Sequence, residues 1–163
     1  MAVPDRPVVS NTTPLINLVG IGRLDLMHAL YGTIWIPNVV YEEYGAGRGS
    51  GDPDVAALAW VRIVPTVAPD PSLPQGLGAG EAAAISLAIA ENARAVLLDE
   101  QLARRVARER GLPIVGTLGL LVAAKQSGIL PAVKPLIDLM IAQGRHISGS
   151  LRAQVLQAAG EEA

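Results

Sequence analysis

The chain has 163 residues, half of them hydrophobic, with no cysteine and a formal net charge of -2. That length suits one domain with a sizeable core, and the missing cysteine excludes a disulfide framework and any thiolate metal site. The acidic balance excludes nucleic-acid binding by bulk charge, and two Trp, three Tyr and no Phe are too few for a base-stacking platform.

No basic stretch followed by an apolar run opens the chain, and the apolar runs are too short and broken to span a bilayer. A single domain over residues 1–163 is expected, cytoplasmic and away from membranes. A first strand is predicted over residues 7–11. Thr12 and Thr13 offer N-caps, and Pro14 suits the first turn of a helix over 14–19. Gly20 and Gly22 break it before a second helix over 23–30. A strand over 33–36 is followed by a helix over 37–44, opened by Pro37.

Residues 45–53 read as a flexible loop, 54–60 as helix and 61–64 as a strand. Four prolines and two glycines make 65–78 an irregular excursion. A strong Ala-, Ile- and Leu-rich helix is predicted over 81–92, then a buried strand over 95–98 that ends at Asp99. Helix over 100–110, a short strand over 114–116 and helix over 118–127 follow. Two further helices, over 133–143 and 151–159, complete the chain. Strand and helix alternate, which argues for a parallel sheet covered on both faces. The core is expected at about 7–128, with 129–160 as an α-helical extension packed on it.

In an open parallel sheet, ligands bind beyond the carboxyl ends of the strands. Asn11 and Asp99 fall at such ends, while Glu43 and Glu81 lie on or at the start of neighbouring helices. Glu81 is the sole charge between Leu77 and Ala90. A carboxylate isolated on a buried helix needs a partner, and a cation supplies one economically. A plainer role stands beside each. Asn11 and Asp99 are ordinary N-cap residues, Glu43 suits a solvated helix face, and Glu81 complements a helix dipole.

Four blocks carry a resemblance: VVSNTTPLI at 8–16, IPNVVYEE at 36–43, GEAAAI at 80–85 and VLLDE at 96–100. In this order and spacing they resemble the PIN-domain family, in its branch of short prokaryotic proteins, over about residues 8–128. The resemblance implies a three-layer α/β/α fold with a parallel sheet of four to five strands. It implies a carboxylate cluster that binds Mg²⁺ or Mn²⁺ and hydrolyses RNA phosphodiesters. Asn11, Glu43, Glu81 and Asp99 take the metal positions, with Glu43, Glu81 and Asp99 catalytic. Thr12 and Thr13 would assist by hydrogen bonding. Many members are toxins of toxin–antitoxin pairs, so an antitoxin protein is an implied partner.

The first site position in the family is commonly Asp, and here it is Asn11. An amide oxygen still ligates a hard cation but brings no charge. The leading reading is thus a metal-dependent endoribonuclease; the alternative is a catalytically weakened module that binds RNA or a protein. The residue types fit the chemistry independently: hard cations prefer oxygen ligands, and crowded carboxylates repel unless a cation neutralises them. On that logic, Glu81→Gln and Asp99→Asn are both expected to raise the metal-free melting temperature.

Arg104, Arg105, Arg108 and Arg110 crowd one helix. Arg104 stands five residues past Asp99, within reach of the site or a substrate phosphate; a solvated face is the commoner fate of such a run. Arg48 lies in the glycine-rich loop. His28 and His146 are isolated and read as structural or surface residues. Gly76, Gly78 and Gly80 follow a Pro-rich loop, so they make no dinucleotide fingerprint, and no Walker A lysine motif occurs. Leu136, Ile137, Leu139, Met140 and Ile141 exceed what one core face needs, and a homodimer seam is expected there.

Overall fold

Short aliphatic and β-branched runs become the strands of one sheet: β1 Val8–Ser10, β2 Ile34–Pro37, β3 Val61–Val64, β4 Ala95–Leu97 and β5 Ile114–Val115. The computed structural model describes residues 6–162. Within it every pairing is parallel and the spatial order is β3-β2-β1-β4-β5. β1 is central: Val8 pairs with Ile34 on one side and with Ala95 on the other. All three β1 residues are buried, as a strand covered on both faces requires.

Helices cover both faces. They are α1 Thr12–Gly20, α2 Asp25–Tyr31, α3 Asn38–Gly47, α4 Ala79–Ala90, α5 Gln101–Glu109, α6 Thr117–Gln126, α7 Lys134–Ala142 and α8 Gly149–Ala158. Adjacent strand residues point to opposite faces, and the two cores divide accordingly. Val8, Ile34 and Ile36 pack with Leu15, Leu18, Met27, Leu120 and Leu121. Val9, Val96 and Leu98 pack with Ile85, Leu87, Val106 and Ala107. This is the expected three-layer α/β/α arrangement, with five strands. No helix among the described residues is long and apolar enough to cross a membrane.

Most elements lie within two or three residues of their predicted bounds. The exception is 54–60, expected as a helix, where only a 3-10 turn forms at Val55–Ala57. Asp54 instead folds back to accept from the Ala56 N–H at 3.1 Å, while Tyr41 Oη donates to Asp54 at 2.8 Å and Tyr44 Oη to Pro53 O at 2.7 Å. The start of the segment is thereby tied to α3. The loop expected at 45–53 begins later, because α3 runs on to Gly47. α1 starts at Thr12 rather than Pro14, so Asn11, not Thr12 or Thr13, holds the N-cap position.

The C-terminal helices join the first core through Val133, Ile137, Met140, Val155 and Leu156. Of the five residues behind the expected dimer seam, Ile137 and Met140 are therefore buried within the chain, and Leu136 is partly so. Leu139 and Ile141 stay exposed, at 40% and 38%. Glu161 ties this region down. Its carboxylate accepts from the Val133 N–H at 2.7 Å and the Lys134 N–H at 3.1 Å, capping α7, and pairs with Lys125 Nζ at 3.0 Å. Burial works to raise the Glu161 carboxyl, but the Val133 N–H, Lys125 and the Lys134 N–H together hold it below its ordinary value.

A depressed carboxyl stabilises the fold above its unfolded value, near 4.5, and loses that contribution as pH falls through the lower folded value. Glu161→Gln is expected to cost about 1 kcal/mol at pH 7, as for a lost cap. The difference from the parent should shrink below about pH 4. Urea titrations across pH test this; a cost independent of pH would refute the charge's role.

Candidate functional site

The chain winds outward from β1 through β2 to β3 in one direction, and from β4 to β5 in the other. Where that direction switches, the carboxyl ends of β1 and β4 lie side by side, with Ser10 paired to Leu97. Such a switch point opens a crevice between the connections. Asn11 sits at its floor, and its N–H donates to Leu97 O at 3.0 Å. Its side chain makes no capping hydrogen bond, so the plain capping role does not account for it. Oδ1 is buried with no hydrogen-bond partner in a residue only 3% exposed. A buried acceptor left bare costs free energy unless something absent from the bare chain satisfies it.

Glu43 reaches the same place from α3. Thr12 Oγ donates to its Oε2 at 2.8 Å, and the Gly80 N–H donates to its Oε1 at 3.0 Å. Both carboxylate oxygens are thus fixed, although the residue as a whole is exposed. Position 80 must be glycine for this to work. A Cβ there would stand 3.0 Å from Glu43 Cδ, colliding with its oxygen, and 3.1 Å from Asn11 Oδ1. Asn11 Oδ1 and the Glu43 carboxylate therefore share one small space against α4. Thr13 is half-buried and contributes no hydrogen bond to it among the described residues.

Glu81 is the third residue of α4, whose N-cap is Gly78. Burial raises its carboxyl above the ordinary value, Glu100 and Glu43 add repulsion, and a hydrogen bond from the Gly78 backbone opposes them. That bond is half of a capping box, so the helix-start role holds alongside any other. Glu100, at the N-cap position of α5, was not singled out from sequence. Its adjacency to Asp99 at a strand end was the available signal.

Asp99 is spoken for differently. Its Oδ1 accepts from the Thr117 N–H at 2.7 Å; its Oδ2 accepts from Thr117 Oγ at 2.6 Å and Asn17 Nδ2 at 3.0 Å. It does not cap α5, where Glu100 holds that position, but ties β4 to the start of α6. Asn17 leaves its own Oδ1 buried without a partner. Arg104 Nη1 donates to Leu98 O at 3.0 Å, and a Cβ on Gly116 would meet that nitrogen at 2.5 Å and Asp99 Oδ1 at 3.2 Å. Asp99 and Arg104 line a cleft of about 590 Å³ bounded by Gly116, Leu118, Leu151 and Val155.

A family model described as a PIN domain matches residues 7–161. The chain belongs to the PIN-domain family. No curated protein and no solved structure gives a match. Membership makes this a nuclease-like module, and PIN domains are generally dependent on divalent metals.

The residues of this PIN domain fit such a cation in part. Asn11 Oδ1 is an unsatisfied oxygen with the Glu43 carboxylate beside it, both hard oxygen donors, while the Glu81 carboxylate is turned to the Gly78 backbone and feels the Glu43 charge. Among the described residues, however, no three Asp, Glu or His side chains converge into a metal-holding group. The expected gathering of Glu43, Glu81 and Asp99 around one ion is thus not the arrangement in this structure. Three hydrogen bonds tie Asp99 to Thr117 at the start of α6 and to Asn17 of α1. Asn17 and Thr117, which hold it there, were also not singled out from sequence.

That geometry separates two substitutions expected to act alike. Glu81→Gln relieves burial and repulsion of a charge, so the metal-free melting temperature at pH 7 should rise by about 1–2 °C, an effect of roughly 0.5 kcal/mol in a chain this size. A raised carboxyl penalises the fold only above its unfolded value, so the gain should vanish in acid. Asp99→Asn keeps an oxygen for the Thr117 N–H but sets an Nδ2 donor against the Asn17 Nδ2 donor, and is expected to cost about 1–3 kcal/mol. Calorimetry showing both variants shifted in the same direction would contradict this division.

Gly80→Ala is expected to displace the Glu43 carboxylate while leaving α4 helical. Circular dichroism with Mn²⁺ titration tests it. Unchanged Mn²⁺ affinity would mean that Glu43 has no need of its present position.

Proposed function

We propose that this PIN domain is a divalent-metal-dependent endoribonuclease. The observation that carries the reading is the bare, buried Asn11 Oδ1 facing the clamped Glu43 carboxylate at the sheet's switch point. Asn11, Glu43 and Glu81 would hold Mg²⁺ or Mn²⁺. Bound there, the cation would supply an activated water and screen charge developing on the phosphodiester. Thr12 and the Gly80 N–H keep both oxygens of Glu43 oriented. Glu81, whose ionised form burial disfavours in the bare chain, would be stabilised as a carboxylate by the ion. Asp99, held by Asn17 and Thr117, and Arg104 face the adjoining cleft, where the substrate's flanking phosphate would meet the guanidinium. The toxin role in a toxin–antitoxin pair, with a protein antitoxin as partner, belongs to the same proposal.

A second reading has its own support. Asn11 brings no charge, and Asp99 does not join Glu43 and Glu81, so the charge around the proposed ion is low. On this reading the protein binds RNA or a protein partner and cleaves weakly. Both readings are tested by Mn²⁺ titration and cleavage of a mixed-sequence RNA. The nuclease reading expects cleavage that needs the metal and falls at least about 100-fold in Glu43→Gln, the scale of losing one charged transition-state contact. It also expects Asn11→Asp to tighten Mn²⁺ binding. Metal binding without cleavage, restored by Asn11→Asp, would establish the second reading instead.

A further inference from the structure

The four arginines at α5 are not equivalent. Arg110 is fully engaged, donating to Ser72 Oγ at 3.1 Å, to Val106 O at 3.0 Å and to Ser72 O. Arg104 is anchored on Leu98 O. Arg105 and Arg108 are exposed and enter no hydrogen bond or ion pair among the described residues. The inner face of α5 is Ala103, Val106 and Ala107, buried in the second core, so the arginines lie on its outer face. Arg104, Arg105 and Arg108, with Gln101 and Leu102, line a hollow of about 600 Å³. Gln101 and Arg104 also line the cleft that reaches Asp99. A cationic hollow on an acidic protein therefore runs into the carboxyl edge of the sheet.

We propose that the outer face of α5 is a phosphate-binding shelf, on which an RNA strand lies as it enters or leaves the crevice, with Arg105 and Arg108 contacting its backbone. The identity of the ligand rests on the nuclease reading above. Residues three apart on a helix stand about 5–6 Å apart at Cβ, comparable with the step between neighbouring phosphates on an extended strand. A guanidinium fork suits phosphate oxygens. The hollow has no aromatic side chain, and its apolar lining is Leu102. Bases therefore do not stack there, and contacts are to the backbone alone, without sequence preference. For the same reason an acidic protein partner is disfavoured: a protein interface needs apolar anchors in fitted pockets.

The test is fluorescence anisotropy of a labelled single-stranded RNA with the full chain, in EDTA so that nothing is cleaved. The variants are Arg105→Ala/Arg108→Ala and Arg105→Lys/Arg108→Lys. The alanine pair should melt like the parent, bind RNA at least tenfold more weakly, and reduce the slope of log Kobs against log[salt] by about 1.4, two single-strand phosphates at roughly 0.7 each. The lysine pair should keep the slope. Unchanged affinity and slope in the alanine pair would overturn the shelf. So would an acidic peptide that binds the parent more tightly than RNA at equal salt. Because binding is read without metal, failure here leaves the nuclease reading standing. Conversely, loss of RNA binding in the alanine pair supports the shelf even if the parent proves unable to cleave.

Discussion

The Glu43 carboxylate is gripped from two helices that do not carry it. The Thr12 hydroxyl comes from the first turn of α1 and the Gly80 N–H from the first turn of α4. Both helices point their amino ends at it, where unpaired N–H groups and the helix dipole favour negative charge. One carboxylate thereby sets the relative positions of α1, α3 and α4 around the end of β1. The arrangement tolerates no side chain at position 80, because the space a Cβ would take is filled by Glu43 and Asn11. A clamp for stability alone would not require a bare buried oxygen beside it, and Asn11 Oδ1 is one.

The layers of this fold were legible because they follow from local pattern. Apolar runs such as Val96-Leu97-Leu98 cannot be anything but a buried strand or the core of a helix, and flanking turn residues kept them short. The segment 54–60 was misread because its helical composition was overridden by contacts no local window contains. Tyr41 and Tyr44, a helix away, hold Asp54 and Pro53 in place.

The site was legible in part for the same reason. Asn11, Glu43, Glu81 and Asp99 are where a parallel sheet puts residues near its carboxyl edge, so their neighbourhood could be foreseen. The direction each side chain takes could not. Asp99 is turned by Thr117, 18 residues on, and by Asn17, 82 residues back. Neither partner bears a charge that would mark it in a sequence. Glu100 was overlooked because an exposed acid opening a helix is ordinary. Its effect on Glu81 depends on how α4 and α5 lie together.

The neutral residue at position 11 changes the balance on this edge. A carboxylate there, beside Glu43 and within reach of the charge field of Glu81 and Glu100, would add repulsion at the most enclosed point of the crevice. Asparagine keeps an oxygen in that position and removes the charge. The bare protein then folds with less self-repulsion and attracts a cation less strongly. Drawing Asp99 inward to compensate would break its hydrogen bonds to Thr117 at the start of α6 and to Asn17 of α1. On the proposed reading the positive charge on α5 would act on a different partner: arginines beside the crevice do nothing to hold a cation, but they would raise the local concentration of a polyanion whose phosphates carry a cation with them. On that logic metal and RNA would assist each other's binding, since each supplies charge that the other's site lacks.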